Sequence, residues 1–304
     1  MNNVISTKVK IFRNLKEYKF SHKLSNEHRN EIVENLKQTL NSKMQLIDLS
    51  EIDEKTKNFI AKSNCINKTG LVFAHKTDNL AIELFNDEHI TIVAESENKD
   101  DSAYEKAFKI VNDLSNKIEF AFSDEYGYLM SNLNHIGTGV QIESDIMLLS
   151  IKAIGKIEQV KQNLAKLGYT LKETKFKGMF KIETKCNLGI SEKQIVSDFK
   201  NTLAKLQELE VESAKMLDVE KHDELLDMSN RSLAILGNAY LMNYEELYTM
   251  LINLRIGQTL SMNEVSEFKL NKLQKLVMNK KEEFISQTEQ KTLAQQVKEI
   301  LKGE

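Results

Sequence analysis

Polar and apolar positions alternate at the start of the chain, with Val4, Ser6, Lys8 and Lys10 interleaved with Ile5, Thr7, Val9 and Ile11. This weak period-2 signal predicts a strand running toward Arg13 and Asn14. Ser25-Asn26-Glu27-His28 is a helix-start signal, followed at helical spacing by Ile32, Val33, Leu36 and Leu40. Strand-like runs at 70–74, 80–84 and 89–93 are separated by turn-forming residues such as Thr77-Asp78-Asn79. Connections this short favour an antiparallel sheet.

Asp101 opens a predicted helix with the stripe Ala103, Ala107, Ile110, Val111 and Leu114, expected to end near Phe122. Val140, Ile142, Ser144, Ile146 and Leu148 alternate with Gln141, Glu143 and Asp145, a half-buried strand with good contrast. A helix over Ile154–Leu167 is expected to stop at Gly168, and strands follow near 169–171 and 179–184. From Ser191 the pattern is helical. A long helix starts there, a charged stretch runs from Glu208 to Glu224, and further helices are expected over 225–236, 244–254, 264–277 and 281–301. This predicts an α+β fold: an α+β domain over 1–215, with an antiparallel sheet flanked by helices, and an all-helical domain over 216–304.

Composition narrows the function classes. The 304 residues are 41% hydrophobic and 29% charged, with a formal net charge of −3. A general nucleic-acid binder would need a basic surplus to neutralise phosphates, so no direct nucleic-acid role is expected. Cys65 and Cys186 are too few for a disulfide framework and too isolated for a zinc site. No apolar run reaches the length of a membrane span and the first residues lack a signal-peptide core, so a cytoplasmic protein is expected. The chain has no proline and only four arginines, Arg13, Arg29, Arg231 and Arg255. The many lysines, asparagines and isoleucines suggest an AT-rich genome.

Familiar enzyme motifs are missing. Gly155-Lys156 is followed by Ile157, so there is no P-loop, and Gly137-Thr138-Gly139 lacks the third glycine of a dinucleotide fingerprint. The catalytic loop and Asp-Phe-Gly segment of ordinary protein kinases do not occur. None of the six histidines pairs at the i, i+4 spacing of a helical metal site.

Several segments, taken in order, resemble the bacterial protein-arginine kinases of the ATP:guanido phosphotransferase family. Ser6-Thr7-Lys8-Val9-Lys10-Ile11-Phe12-Arg13-Asn14 is similar to the family opening Ser-Ser-Arg-x-Arg-Leu-Ala-Arg-Asn. Leu84-Phe85-Asn86-Asp87-Glu88-His89-Ile90-Thr91-Ile92 resembles its Leu-Asn-Glu-Glu-Asp-His-x-Arg-Ile segment. Phe120-Ala121-Phe122, Gly127-Tyr128-Leu129 and Ile136-Gly137-Thr138-Gly139 follow where the family has similar runs. Leu188–Glu192, Asp227, Arg231-Ser232, Asn238 and Leu254-Arg255-Ile256-Gly257 echo its later helices.

The resemblance implies a guanido-kinase fold, MgATP as phosphoryl donor and protein arginine as acceptor. It also implies five arginines clamping the nucleotide, a glutamate orienting and deprotonating the guanidinium, and a cysteine beside it. Such chemistry rests on positioning and on neutralising phosphate oxygens, and arginine's planar fork suits the clamp. Carried across, the clamp positions fall on Lys8, Lys10, Thr91 and Gln141, with the fifth near Lys172, where the family's glycine-rich loop is missing. Asp87 takes the base position, with Glu88 beside it as a possible substitute, and Asn132 replaces the cysteine. Lys175 and Lys177 are candidates to reach the phosphates instead. The family's phosphoarginine-pocket motif falls on Glu289-Gln290-Lys291-Thr292-Leu293-Ala294, which has no arginine. Arg231 and Arg255 are expected to make local ion pairs or cap helix ends.

These substitutions predict a catalytically impaired pseudokinase with a regulatory or binding role, retaining ATP and Mg2+ only if some binding survives. The resemblance implies stress-response partners: a zinc-binding activator, an AAA+ chaperone–protease or a heat-shock repressor, and a possible homodimer. Two alternatives stay open. One is an active, divergent protein-arginine kinase that uses lysines in its clamp. The other is an enzyme-like shell holding a different anionic ligand over Lys8 and Lys10.

Overall fold

The computed structural model describes residues 3–40, 44–63, 66–67, 70–97, 100–185, 188–278 and 285–303. Cys65, Cys186 and the start of the helix expected from Lys281 lie outside these residues. The chain divides into two compact units. A sheet unit comprises Val4–Ile146 and Lys161–Leu203, and a helical unit comprises residues 1–3, Met147–Val160 and Ala204–Glu304.

The sheet unit is built on β1 (Val4–Arg13), which pairs antiparallel with both β5 (Ile90–Glu97) and β8 (Val140–Met147). Outward from β5 come β4 (Leu80–Leu84), β3 (Leu71–His75) and β2 (Met44–Asp48). Beyond β8 lie β10 (Met179–Thr184) and β9 (Tyr169–Glu173), completing eight strands. The register explains the alternation seen in β1. Val9 and Ile11 lie opposite Ala94 and Ile92 on one side, with Ile142 opposite Val9 on the other, and all five are fully buried. The helix α3 (Ser102–Ser115) packs on β5 and β1 through Ala103, Ala107, Val111 and Leu114. Burying that apolar set fixes the register, because a one-residue slip would turn it to solvent. Lys8 and Lys10 therefore project from the opposite face.

The helix α1 (Asn26–Thr39) starts where the sequence signals it. The Ser25 hydroxyl accepts the His28 N–H at 3.2 Å, and Ile32, Val33 and Leu36 are buried. By contrast, α3 ends at Ser115 rather than near Phe122. Residues 119–121 instead run extended beside the end of β1, with Ala121 N–H donating to Asn14 O at 2.8 Å and Phe120 bridging Leu15. A short hairpin of β6 (Phe122–Ser123) and β7 (Gly127–Tyr128) follows. The strand β2 and the helix α2 (Glu54–Ser63) were not foreseen by the pattern.

The helix expected over 154–167 is α5 (Ile157–Lys166), which starts only after Gly155 at φ +74; a short helix that the pattern did not signal, α4 (Leu149–Ala153), precedes it. In the helical unit Glu210, almost fully buried, accepts the Ser150 and Ile151 N–H groups at 2.6 and 3.1 Å and so caps α4. The charged stretch Glu208–Glu224 is itself helical, part of α6 (Glu192–Asn238), whose only non-helical residue is Lys221. The later helices are α7 (Tyr244–Thr259), α8 (Glu267–Met278) and α9 (Gln287–Lys302). Arg231 makes the local ion pair expected, 3.3 Å from Asp227. Arg255 does not cap a helix. It is fully buried and donates to Asn271 Oδ1 at 2.8 Å and Gln274 Oε1 at 2.5 Å, tying α7 to α8. Burial lowers its pKa to about 10. None of the described helices is long and apolar enough to cross a membrane.

Candidate active site

The open face of the sheet gathers the positions singled out in the sequence. Lys8 lies between Glu95 and Glu143 on the neighbouring strands, Lys10 between Val93 and Gln141, and Phe12 opposite Thr91. Directly opposed residues share a face, so Lys8, Lys10, Thr91 and Gln141 all point the same way. Lys172 on β9 opposes Lys181 on β10 and joins them at the far side.

That face also holds carboxylates that the resemblance did not mention. Lys10 pairs directly with Glu143, and Lys181 reaches the same carboxylate at 2.8 Å. Burial alone would raise the Glu143 carboxyl, but Lys10 and Lys181 outweigh it and hold its pKa at about 2. Gln141 donates its amide to Glu183. Glu95 and Asp145 are raised by burial, with Lys8 and Lys181 opposing the shift. Four lysines, Lys8, Lys10, Lys172 and Lys181, thus share the face with Glu95, Glu143, Asp145 and Glu183. The sequence did carry a signal: Gln141, Glu143 and Asp145 are the polar half of the clearest alternating strand.

Between this face and the turn after β4 stands an aromatic pair. His135 stacks on Phe12 at 3.8 Å with an interplanar angle of 8°, and Thr91 beside Phe12 is buried. Burial lowers the His135 pKa, while Glu88, Asp87 and Glu183 act to raise it and Lys10 to lower it. The ring therefore sits among the positions named for base and clamp, and its Nδ1 is buried without a hydrogen-bond partner.

Asp87 and Asn132 come together in one cleft of 430 Å³, lined also by Arg29, Phe85 and Ser131. Glu88 is beneath it and fully buried. Its carboxylate accepts Asn14 Nδ2 at 2.5 Å and the backbone N–H groups of Ser131 and Asn132 at 2.9 and 3.0 Å. Those bonds fix the loop carrying Asn132. His89 holds the same corner from the other side, accepting Leu15 N–H at Nδ1 (3.0 Å) and donating from Nε2 to Lys19 O (2.8 Å).

Arg13 ends β1 inside the unit. Its guanidinium donates to Phe12 O at 2.7 Å, Thr138 O at 2.9 Å and Glu192 Oε1 at 2.8 Å, and lies 3.5 Å from the Tyr128 ring centroid. Gly139, at φ +60, must lack a side chain, since a Cβ would fall 2.8 Å from both Arg13 Nη1 and Phe12 O. Lys175 and Lys177 flank the turn between β9 and β10, where Lys175 lies 5.2 Å from the Phe176 ring.

In the helical unit, Glu289 is a capping residue. Its carboxylate accepts the Ser286 N–H and hydroxyl, each at 2.8 Å, in a capping box that opens α9. Lys291 lies 5.1 Å over the Tyr240 ring. Among the described residues no cluster of three or more histidine, cysteine, aspartate or glutamate side chains could hold a metal ion.

Comparison with known proteins identifies the architecture. Residues 6–213 match the ATP:guanido phosphotransferase C-terminal catalytic domain. The protein-arginine kinase of Clostridium acetobutylicum is 25% identical over 291 residues, covering 89% of this chain and 86% of that protein. That of Clostridium perfringens is 29% identical over 279 residues, covering 86% and 83%. The duplicated, substrate-free taurocyamine kinase of Schistosoma mansoni shares the fold with a TM-score of 0.62 at 18% identity, over 75% of this chain and 37% of that one. The eight-stranded antiparallel sheet, the loop at Gly137–Gly139 and the matched 208 residues from 6 to 213 agree: this chain belongs to the ATP:guanido phosphotransferase family.

Proposed function

We propose that this chain is a protein-arginine-kinase-like pseudokinase: a guanido-kinase fold that has lost effective phosphoryl transfer and serves as a binding or regulatory partner. The observation that carries this reading is the pairing of Lys10 with Glu143 on the sheet face, with Lys181 on the same carboxylate and Gln141 held by Glu183. A triphosphate clamp needs cationic charge directed outward. Here Lys10 and Lys181 are taken up by Glu143, Lys8 faces Glu95 and Glu143 on its neighbouring strands, and Thr91 and Gln141 bring no charge. MgATP does not fit such a surface, because its phosphates would meet carboxylates whose counter-charge is already engaged.

Magnitudes support the same reading. Losing one preorganised donor to a developing charge lowers rate by about 10²–10³, and withdrawing a base by about 1 Å adds on the order of 10². Such effects are not additive, yet several together remove most of the acceleration. Glu88 is a poor replacement base, since three donors already hold its carboxylate. Thr91, where the resemblance would put a clamp arginine, is buried opposite Phe12, on which His135 stacks.

The retained role is association with protein partners of the kind the resemblance implies: a zinc-binding activator, an AAA+ chaperone–protease or a heat-shock repressor, in the cytoplasm. The capping role of Glu289 supports loss of the phosphoarginine pocket as well. The test is turnover. Purified chain incubated with MgATP and an arginine-rich protein should yield acid-labile phosphate at least a thousandfold more slowly than an intact relative. Turnover within tenfold of that relative, abolished by Asp87→Ala, would overturn the reading.

A further inference from the structure

We propose that Arg29 is a built-in occupant of the cleft beside Asp87, holding the place of an incoming guanidinium so that the cleft opens to a ligand only when Arg29 swings out. The proposal rests on reading Asp87 and Asn132 as the acceptor side of the family site, and not on the loss of turnover.

The geometry begins with α1. It carries Arg29 to the wall of the cleft shared by Phe85, Asp87 and Asn132. The guanidinium lies 5.2 Å from the centroid of the Phe85 ring, within the range of a cation–π contact. Phe85 sits at φ +56, a left-handed conformation that bulky side chains rarely adopt. The turn therefore holds the ring where it can meet a planar cation.

Arg29 is also held lightly. Among the described residues its guanidinium makes one hydrogen bond, from Nη2 to Ser21 O at 3.5 Å, at the limit of such contacts. Its Nε is buried without a partner, as are those of Arg13 and Arg255, so what sets Arg29 apart is the weak hold at its terminal nitrogens. No carboxylate of the described residues lies within ion-pair distance of it, although Asp87 lines the same cleft. A structural arginine is usually pinned by several acceptors, as Arg13 is here. Arg29 instead has a flat platform, an incomplete set of acceptors and a carboxylate nearby. These are the attributes of a group that a chemically equivalent visitor can displace. A tethered occupant competes at an effective concentration on the order of millimolar. If it fills the cleft for about nine-tenths of the time, the apparent affinity of a visiting guanidinium falls about tenfold.

The test uses the full chain and N-acetyl-L-arginine methylamide as probe, titrated by calorimetry or by NMR. Arg29→Ala should bind the probe about tenfold more tightly than the wild type, and Arg29→Lys should fall between them, lacking the planar stack. Adding Asp87→Asn to Arg29→Ala should remove the gain. An Arg29→Ala chain that folds, as judged by circular dichroism, and binds the probe no better than the wild type overturns the proposal. Weaker binding does so too, because Arg29 would then be contacting the ligand. A gain that survives Asp87→Asn would instead sink the acceptor-side assignment on which the proposal rests.

Discussion

The two sides of β1 differ sharply in how they treat positive charge. At its buried end Arg13 meets two carbonyls, one carboxylate and an aromatic ring, so that nearly every direction of the guanidinium is answered by the fold itself. On its open face Lys8 and Lys10 stand where the family resemblance places arginines, and the charges around them are carboxylates of neighbouring strands. The lesson is that the scaffold and the ligand surface are separable. The arginine that holds the Gly137–Gly139 loop to the strand is present, while the cations that would have addressed a nucleotide are changed or neutralised from within.

Perturbing the two sides should give unequal effects. The largest is expected for Arg13→Met. It strips the Phe12 and Thr138 carbonyls of a buried donor and leaves Glu192, about a third exposed, without its partner, for a loss of about 2–4 kcal/mol. Urea denaturation should show that loss, and a cost under about 1 kcal/mol would remove the contrast. Gly139→Ala comes next, at about 1–3 kcal/mol, from a left-handed residue acquiring a Cβ that meets Phe12 O at 2.8 Å.

His89 provides a pH-dependent version of the buried side. Burial lowers its pKa below the usual 6.5. The unfolded chain therefore binds a proton more readily than the folded one, and this contribution is present above about pH 6.5 and lost as pH falls through the lower folded value. Protonation at Nδ1 would also break the bond from Leu15 N–H. Stability should therefore decline on acidification below about pH 6.5, and His89→Gln should flatten that part of the profile. The smallest effect is expected on the open face: Lys8→Met should change stability by no more than about 0.5 kcal/mol.

Much of the fold was legible because burial is one-sided. The alternation over Val140–Leu148 and the stripe from Ala103 to Leu114 each present one apolar face, and both became elements near the expected places. The strand β2 was not legible, since Met44 is its only buried side chain and it lies at the sheet edge. Nor was the end of α3, where the chain leaves the helix to pair beside Asn14, a tertiary choice that local propensity does not encode. At the candidate site, the individual positions could be named from the resemblance. Their partners could not, because the meeting of Lys10 with Glu143, or of His135 with Phe12, depends on strand register and loop path. Arg29 entered no sequence argument at all, being one polar residue on an amphipathic helix.

Glu143 holds both Lys10 and Lys181 on the sheet face, so removing its charge should free cations for a nucleotide. Calorimetric titration of MgATP into the wild type and into Glu143→Gln tests it directly. The wild type should show no saturable binding up to about millimolar nucleotide, where a ligand of that affinity corresponds to about 4 kcal/mol, and binding should become measurable once Glu143 releases Lys10 and Lys181. Micromolar binding by the wild type, left unchanged by Glu143→Gln, would contradict it.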